Sequence, residues 1–174
     1  MDVNLDQLVE KSTELFIKKG YHHTSVKDIA TSVGLSKGSL YHHVNSKQEL
    51  GELTLKTLTQ HFKEHIFCIA YDDSISAKAR AEIMMNHIDQ IFKNGNLIIT
   101  FYNISEFVEI VKDHIQDWTN AICNLLKHNL KPKESKEMAI EIISDIQGAT
   151  LLMGSLTERK DLIKRINKKL VALC

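Results

Sequence analysis

Proline is almost missing from this chain, at one residue in 174, and glycine is sparse at seven. Many short strands need Gly, Pro, Asn and Asp at their turns, so this poverty excludes a β-sandwich or barrel. No apolar run approaches the about 20 residues that cross a bilayer. The opening Met1-Asp2-Val3-Asn4-Leu5 has neither the basic nor the apolar part of a secretion signal, so the sequence predicts a cytoplasmic protein with no membrane partner. Cysteine is scarce and odd in number, with Cys68, Cys123 and Cys174 far apart and no Cys-x-x-Cys pair, which excludes a disulfide framework and a zinc ribbon. Net charge is absent too, 22 basic residues standing against 22 acidic ones.

What is present is an ordinary folding composition, 43% hydrophobic and 25% charged, rich in helix formers. The charge is neutral in sum but not in distribution. Between Lys18 and Lys47 five lysines (Lys18, Lys19, Lys27, Lys37, Lys47) face one acid, Asp28, and four histidines (His22, His23, His42, His43) join them, leaving the remainder of the chain acidic. A basic block of this kind is a local signature for a polyanionic partner.

Three short helices and tight turns fill residues 4 to 45. Leu5, Leu8, Val9, Leu15 and Phe16 recur at helical spacing, with Lys18 and Lys19 at the negative end of the dipole and Gly20 as a left-handed C-terminal cap. Ser25 and Asp28 form a capping box that opens a second helix with Val26, Ile29, Ala30 and Val33 inward, ended by Gly34. Ser36 caps a third through Lys37, Ser39, Leu40, Tyr41 and His43, and the pair Ser46 and Glu49 opens a fourth. Helix, tight turn at Gly34-Leu35-Ser36, helix is the helix-turn-helix arrangement, whose second helix enters the major groove of DNA.

Beyond Ser46 the helices lengthen. One is expected to about Ile69, with Leu50, Leu53, Leu58, Phe62, Ile66 and Ile69 inward. Another spans about Ala77 to Phe92, with Ile83, Met84, His87, Ile88 and Ile91 inward and a turn at Asn94-Gly95-Asn96. Leu97 to Tyr102 reads as a buried helical turn rather than a lone strand. A third long helix carries Phe107, Val111, Ile115, Trp118, Ile122 and Leu125, and Pro132 separates it from a helical hairpin. The hairpin runs from about Ser135 to Leu156 and from Lys160 to Leu173. Its first helix is apolar over more than one stripe, so it wants contacts on two sides. Ile142, Ile146, Ala149 and Leu152, with Ile163, Ile166 and Leu170, would meet a second copy and build a four-helix bundle about a two-fold axis. An ordinary core helix in a monomer is the weaker reading of the same spacing.

The segment Gly20-Tyr21-His22-His23-Thr24-Ser25-Val26-Lys27-Asp28-Ile29-Ala30, followed by Val33-Gly34-Leu35-Ser36-Lys37-Gly38-Ser39-Leu40-Tyr41-His42-His43-Val44-Asn45-Ser46-Lys47-Gln48-Glu49-Leu50, resembles the DNA-binding signature of the tetracycline-repressor (TetR) family over about residues 4 to 55. It departs mildly at Val44, where the family usually has Phe or a similar apolar residue, which leaves the core role intact. The resemblance implies an all-α protein: a helix-turn-helix DNA-binding domain over 1–47 and a helical ligand-binding and dimerisation domain over 48–174. It also implies a homodimeric repressor on a palindromic double-stranded operator, released by an unknown small-molecule effector, with no catalysis and no cofactor. Carried over by position, Lys37, Gly38, Ser39, Tyr41 and His42 face bases and phosphates, with Thr24, Ser25 and Lys47 on the DNA backbone and Ser36 offering a hydroxyl to the DNA. Lys37 can donate to guanine O6 and N7, though a phosphate contact without sequence information fits it as well.

Effector candidates are scattered. His61, Phe62, His65, His87, Phe101, Tyr102, His114 and Trp118 are the polar and aromatic side chains that suit a pocket wall. His61, His65 and Cys68 stand at i, i+4, i+7, a weak candidate for a metal, against which a solvated polar face is the stronger reading. Two rival functions remain. The first is a DNA-bound adaptor that recruits a protein and has no small-molecule effector. The second, a metal-dependent hydrolase using His61, His65 and Glu64, lacks a His-Glu-x-x-His signature.

Overall fold

The computed structural model describes residues 4–92, 98–102, 104–151 and 156–174. Among the described residues it is all-helical: α1 Leu5–Lys19, α2 Val26–Ser32, α3 Lys37–Leu40, α4 Lys47–His65, α5 Ala77–Phe92, α6 Val108–Leu126, α7 Pro132–Leu151 and α8 Leu156–Leu173. Short 3-10 turns cover Phe67–Tyr71, Ile98–Phe101 and Ser105–Phe107.

The local sequence signals account for most of the boundaries. Asn4 caps α1 in a reciprocal box with Gln7. Gly20 follows the helix with φ +81°, but its ψ of 155° is extended rather than left-handed helical, a combination that glycine alone adopts without strain. Ser25 and Asp28 close the expected box at α2. At α4 the box is only half made: Ser46 Oγ accepts from the Glu49 N–H, while Glu49 Oε2 takes both the backbone and side-chain N–H groups of Asn45.

Four expectations shift. The fourth helix stops at His65 rather than near Ile69, and the chain tightens into the 3-10 turn Phe67–Tyr71, which buries Phe67 and Ala70. The Cys68 thiol donates to the carbonyl of Glu64 at the helix end. Phe107 falls in the turn before α6 rather than in the helix. Pro132 does not stand between helices but is the first residue of α7, where its missing N–H costs nothing. On α5 the inward face is rotated by one residue from the expected stripe. Ala81, Met84, Met85 and Ile88 are buried, whereas Ile83 and His87 are exposed. The expected turn at Asn94-Gly95-Asn96, Leu97, Met153 and the side chain of Ile91 lie outside the described residues.

By contact the chain divides into two compact units, Met1–Gln60 with Gly95–Lys112, and His61–Asn94 with Asp113–Cys174. The first unit therefore extends past the sequence-based limit at residue 47 and includes a later segment. Its interior holds Leu8, Ile29, Ala30, Leu40, Val44, Leu50 and Leu55 beside an aromatic cluster. Tyr21 lies 5.3 Å from Phe16, 5.4 Å from Phe101 and 5.0 Å from Phe107 between ring centroids. In the second unit α8 packs on both α5 and α7. Two buried arginines pair with carboxylates there: Arg80 with Asp73 at 2.8 Å, together with the carbonyl of Ala70, and Arg159 with Asp89 at 3.5 Å.

Candidate nucleic-acid interface

The interface is built on the backbone between α2 and α3. Gly34 has φ +73°, a conformation that side chains with a Cβ rarely adopt. It allows the N–H of Leu35 to return to the Ala30 carbonyl at 2.9 Å. Ser36 then caps α3, its Oγ accepting from the Ser39 N–H at 3.0 Å and lying 2.8 Å from the Ser39 hydroxyl. Leu40, 1% exposed, pins the short helix to the interior. The opposite side is free for a partner: Lys37, Gly38, Tyr41 and His42 are exposed and Ser39 half-buried. The Lys37 ammonium stands 5.9 Å from the centre of the Tyr41 ring.

Electrostatics favour the same face. The one acid of the basic block, Asp28, is held by the Ser25 N–H and hydroxyl and by Lys19 at 3.3 Å, which together push its carboxyl down to about 2. Lys19 offsets this one carboxylate and Lys18, Lys27 and Lys37 are exposed, so the block keeps its positive excess.

Three residues expected at the DNA backbone are engaged inside the protein. Thr24 is 1% exposed and its hydroxyl donates to the Gly20 carbonyl at 2.8 Å. Ser25 spends its hydroxyl on the α2 box. Lys47 donates to the carbonyls of Tyr21 at 3.1 Å and Thr24 at 3.2 Å, and sits 4.3 Å from the centre of the Tyr21 ring. Burial lowers the pKa of this ammonium, and two of its three N–H groups staple the turn between α1 and α2. The basic pattern gave no hint of that, because the staple spans more than 20 residues of sequence. Gly51 was missed as well. A Cβ there would stand 2.8 Å from Phe107 Cζ and 2.9 Å from Tyr21 Cε2, so this helical glycine is where an aromatic pair approaches backbone. Periodicity carries no signal for it.

The effector candidates separate. In the first unit Phe101 is fully buried, 4.8 Å from Phe107 between ring centroids. Burial there pushes the Tyr102 hydroxyl up to about 12 and leaves it without a hydrogen-bond partner. In the second unit Phe62, His114 and Trp118 come together with Phe67, which the sequence reading passed over. His61 and His65 are exposed, their ring centroids 4.7 Å apart. His87 is also exposed, its Nδ1 donating to the Ile83 carbonyl at 2.9 Å. His61, His65 and Cys68 do not form a metal cage: no group of three ligating side chains is placed to hold an ion among the described residues. Burial raises the thiols of Cys123 and of Cys174, the latter to about 11, the opposite of what a reactive thiolate needs.

The hairpin residues expected at a two-fold contact are buried within one chain: Ile142, Ile146, Ala149, Ile163, Ile166 and Leu170. Leu152 lies outside the described residues. A hairpin in a small domain must first cover its widest apolar stripe with its own neighbours; here α7 packs on α8, and α8 on α5. What α7 leaves outward is Ile140 at 50% and Leu151 at 61% exposure. Ser144 is exposed between them, and around Gly148 a Cβ would meet nothing within 4 Å.

No helix among the described residues is long and apolar enough to cross a membrane. Residues 8–52 match the family described as bacterial regulatory proteins, tetR family. The biofilm operon icaADBC HTH-type negative transcriptional regulator IcaR of Staphylococcus epidermidis is 25% identical over 116 residues, covering 64% of this chain and 61% of that protein. IcaR of Staphylococcus aureus strain Newman is 41% identical over 51 residues, 29% of this chain and 27% of its own length. The chain thus aligns with less than two thirds of the length of either relative. The crystal structure of a TetR transcriptional regulator from Legionella pneumophila superposes with a TM-score of 0.82, covering 97% of this chain and 99% of that one at 23% identity. That likeness shows the shared fold, a helix-turn-helix head followed by a helical body.

Proposed function

We propose that this chain, which belongs to the tetR family of bacterial DNA-binding transcriptional regulators, is a repressor that holds a palindromic operator as a homodimer and releases it when a small molecule binds the helical body. Its work is binding, not catalysis. The observation that carries the reading is the outward row Lys37, Gly38, Ser39, Tyr41 and His42, displayed from a helix whose cap and preceding glycine fix its direction. Lys37 supplies a donor for guanine or phosphate, the one hydroxyl proton that the Ser36–Ser39 pair does not use internally adds a short-range donor, and Gly38 lets the DNA backbone come close. Repression is favoured by the related proteins, which are named as negative transcriptional regulators.

A symmetric operator requires two heads. The stripe Ile140, Ser144, Gly148 and Leu151 follows one face of α7 and joins two exposed apolar side chains through small residues. A second copy covers it across a two-fold axis, with helix backbones approaching at Gly148. Two recognition helices then read half-sites about 34–36 Å apart, and a ligand that changes this separation by a few ångströms loses both at once.

Selection from a random duplex library tests the reading. The expected product is an inverted repeat with half-site centres about 10 base pairs or a multiple apart, bound by two protomers or a multiple of two. Recovery of unpatterned DNA, or of an asymmetric site bound by one protomer, would overturn it. If operator release is achieved by a purified protein and by no small molecule, the adaptor function replaces the effector.

A further inference from the structure

His114 is 2% exposed on α6, and its Nε2 is buried without a hydrogen-bond partner. Buried polar groups are nearly always paired, and an unpaired one is a standing cost to the fold. The walls around it are aromatic. Phe62 meets the imidazole edge-on at 5.1 Å between centroids, Phe67 lies at 5.4 Å and Trp118 at 6.0 Å, with Phe67 and Trp118 stacked at 25°. These rings pack against one another, so a molecule that reaches Nε2 must part them, which a flat apolar one does with least displacement.

We propose that His114 is the polar anchor of the effector site, and that the effector is an uncharged, flat, largely apolar molecule carrying one hydroxyl-like group that completes the hydrogen bonding of Nε2. The proposal rests on the effector-release reading above and names the chemistry of its ligand. Charge is disfavoured on two grounds. Burial holds the His114 pKa down at about 4, so the ring is neutral and cannot offset a carboxylate or phosphate. The buried cations of the same unit, Arg80 and Arg159, already hold Asp73 and Asp89. A hydroxyl, which donates and accepts, pairs with either neutral tautomer of the ring.

Trp118 is the one tryptophan in the chain, so its emission reports on the site in the unlabelled full-length protein. The probes are para-ethylphenol, ethylbenzene and para-ethylbenzoate, titrated separately with excitation confined to tryptophan. The expected result is a saturable change with para-ethylphenol at about fivefold higher affinity than ethylbenzene, the worth of one net hydrogen bond, and none with para-ethylbenzoate. The His114→Phe variant should bind the two neutral probes equally. Without ligand it should melt about 2–4 °C higher than wild type, because the orphan nitrogen is gone. Should this variant fold poorly, the imidazole nitrogen resonances of the nitrogen-labelled wild type decide: the phenol must move the His114 Nε2 signal and ethylbenzene must not. Equal affinities for the two neutral probes in wild type, no saturable binding of either, or preference retained in His114→Phe would overturn the proposal. Repeating the titration with operator DNA present separates the two levels. A probe that passes the His114 tests yet leaves DNA affinity unchanged keeps the site and refutes release.

Discussion

Lys37 and Gly38 are neighbours on α3 with separable roles. Removing the Lys37 ammonium by Lys37→Ala should weaken operator binding by about 1–3 kcal/mol. Loss confined to the cognate site marks it as a base reader, whereas equal loss on all duplexes with a shallower salt slope marks a phosphate contact. Gly38→Ala places a methyl that meets only Ser36 Oγ at 3.8 Å, so the thermal melt should stay within about 0.5 kcal/mol of wild type while DNA affinity falls, as anisotropy will show. Gly51→Ala should do the reverse. Its methyl would stand 2.8 Å from Phe107 Cζ, and urea unfolding should report about 1–3 kcal/mol of lost stability before any effect on the exposed α3 face. His114 gives a pH test. Its folded-state pKa of about 4 lies below the ordinary 6.5, so the unfolded chain binds the extra proton first as acid is added. Stability that is full above 6.5 is lost as the pH falls from there to about 4, by up to about 3 kcal/mol. His114→Phe should lack that slope.

At the scale of elements, α2 depends on its first turn. Ser25→Ala removes both the cap to the Asp28 N–H and the hydroxyl donated to Asp28, and should cost about 0.5–2 kcal/mol in urea unfolding. Because Asp28 is depressed to about 2 from 3.8, its contribution is complete above about 4 and fades as the pH falls toward 2; Asp28→Asn should flatten that part of the acid limb. The caps at Ser25 and Ser36 and the stop at Gly34 were legible in the sequence because each is written within four residues. Lys47, Thr24 and Gly51 were not, since their meaning comes from Tyr21 and Phe107, partners that no local pattern names. The stripe on α5 was misplaced by one residue for a related reason. Ala81 and Met85 bury as well as Ile83 would, and tertiary packing chose between them. The helical candidates around Trp118 were half legible: aromatic type was visible, but the meeting of Phe67 with His114 and Trp118 depends on a 3-10 turn that the spacing read as helix.

For the whole molecule the decisive question is how two copies meet and what they hold. Spacing favoured Ile142, Ile146 and Ile166, which lie 0%, 0% and 3% exposed inside one chain, so periodicity found the hairpin's core and not its outer face. Paired substitutions Ile140→Glu and Leu151→Glu should yield folded monomers by light scattering with much weakened operator binding, whereas Ile146→Glu should unfold the chain. The most direct test of the account is a fluorescence anisotropy titration of the selected inverted repeat across salt, with wild type, Lys37→Ala and Gly38→Ala. The account predicts tight binding by two protomers or a multiple of two, a steep loss of affinity with salt, and weakened binding by both variants despite native melting curves. Wild-type binding no tighter than to a scrambled duplex, or variants that bind as well as wild type, would contradict it.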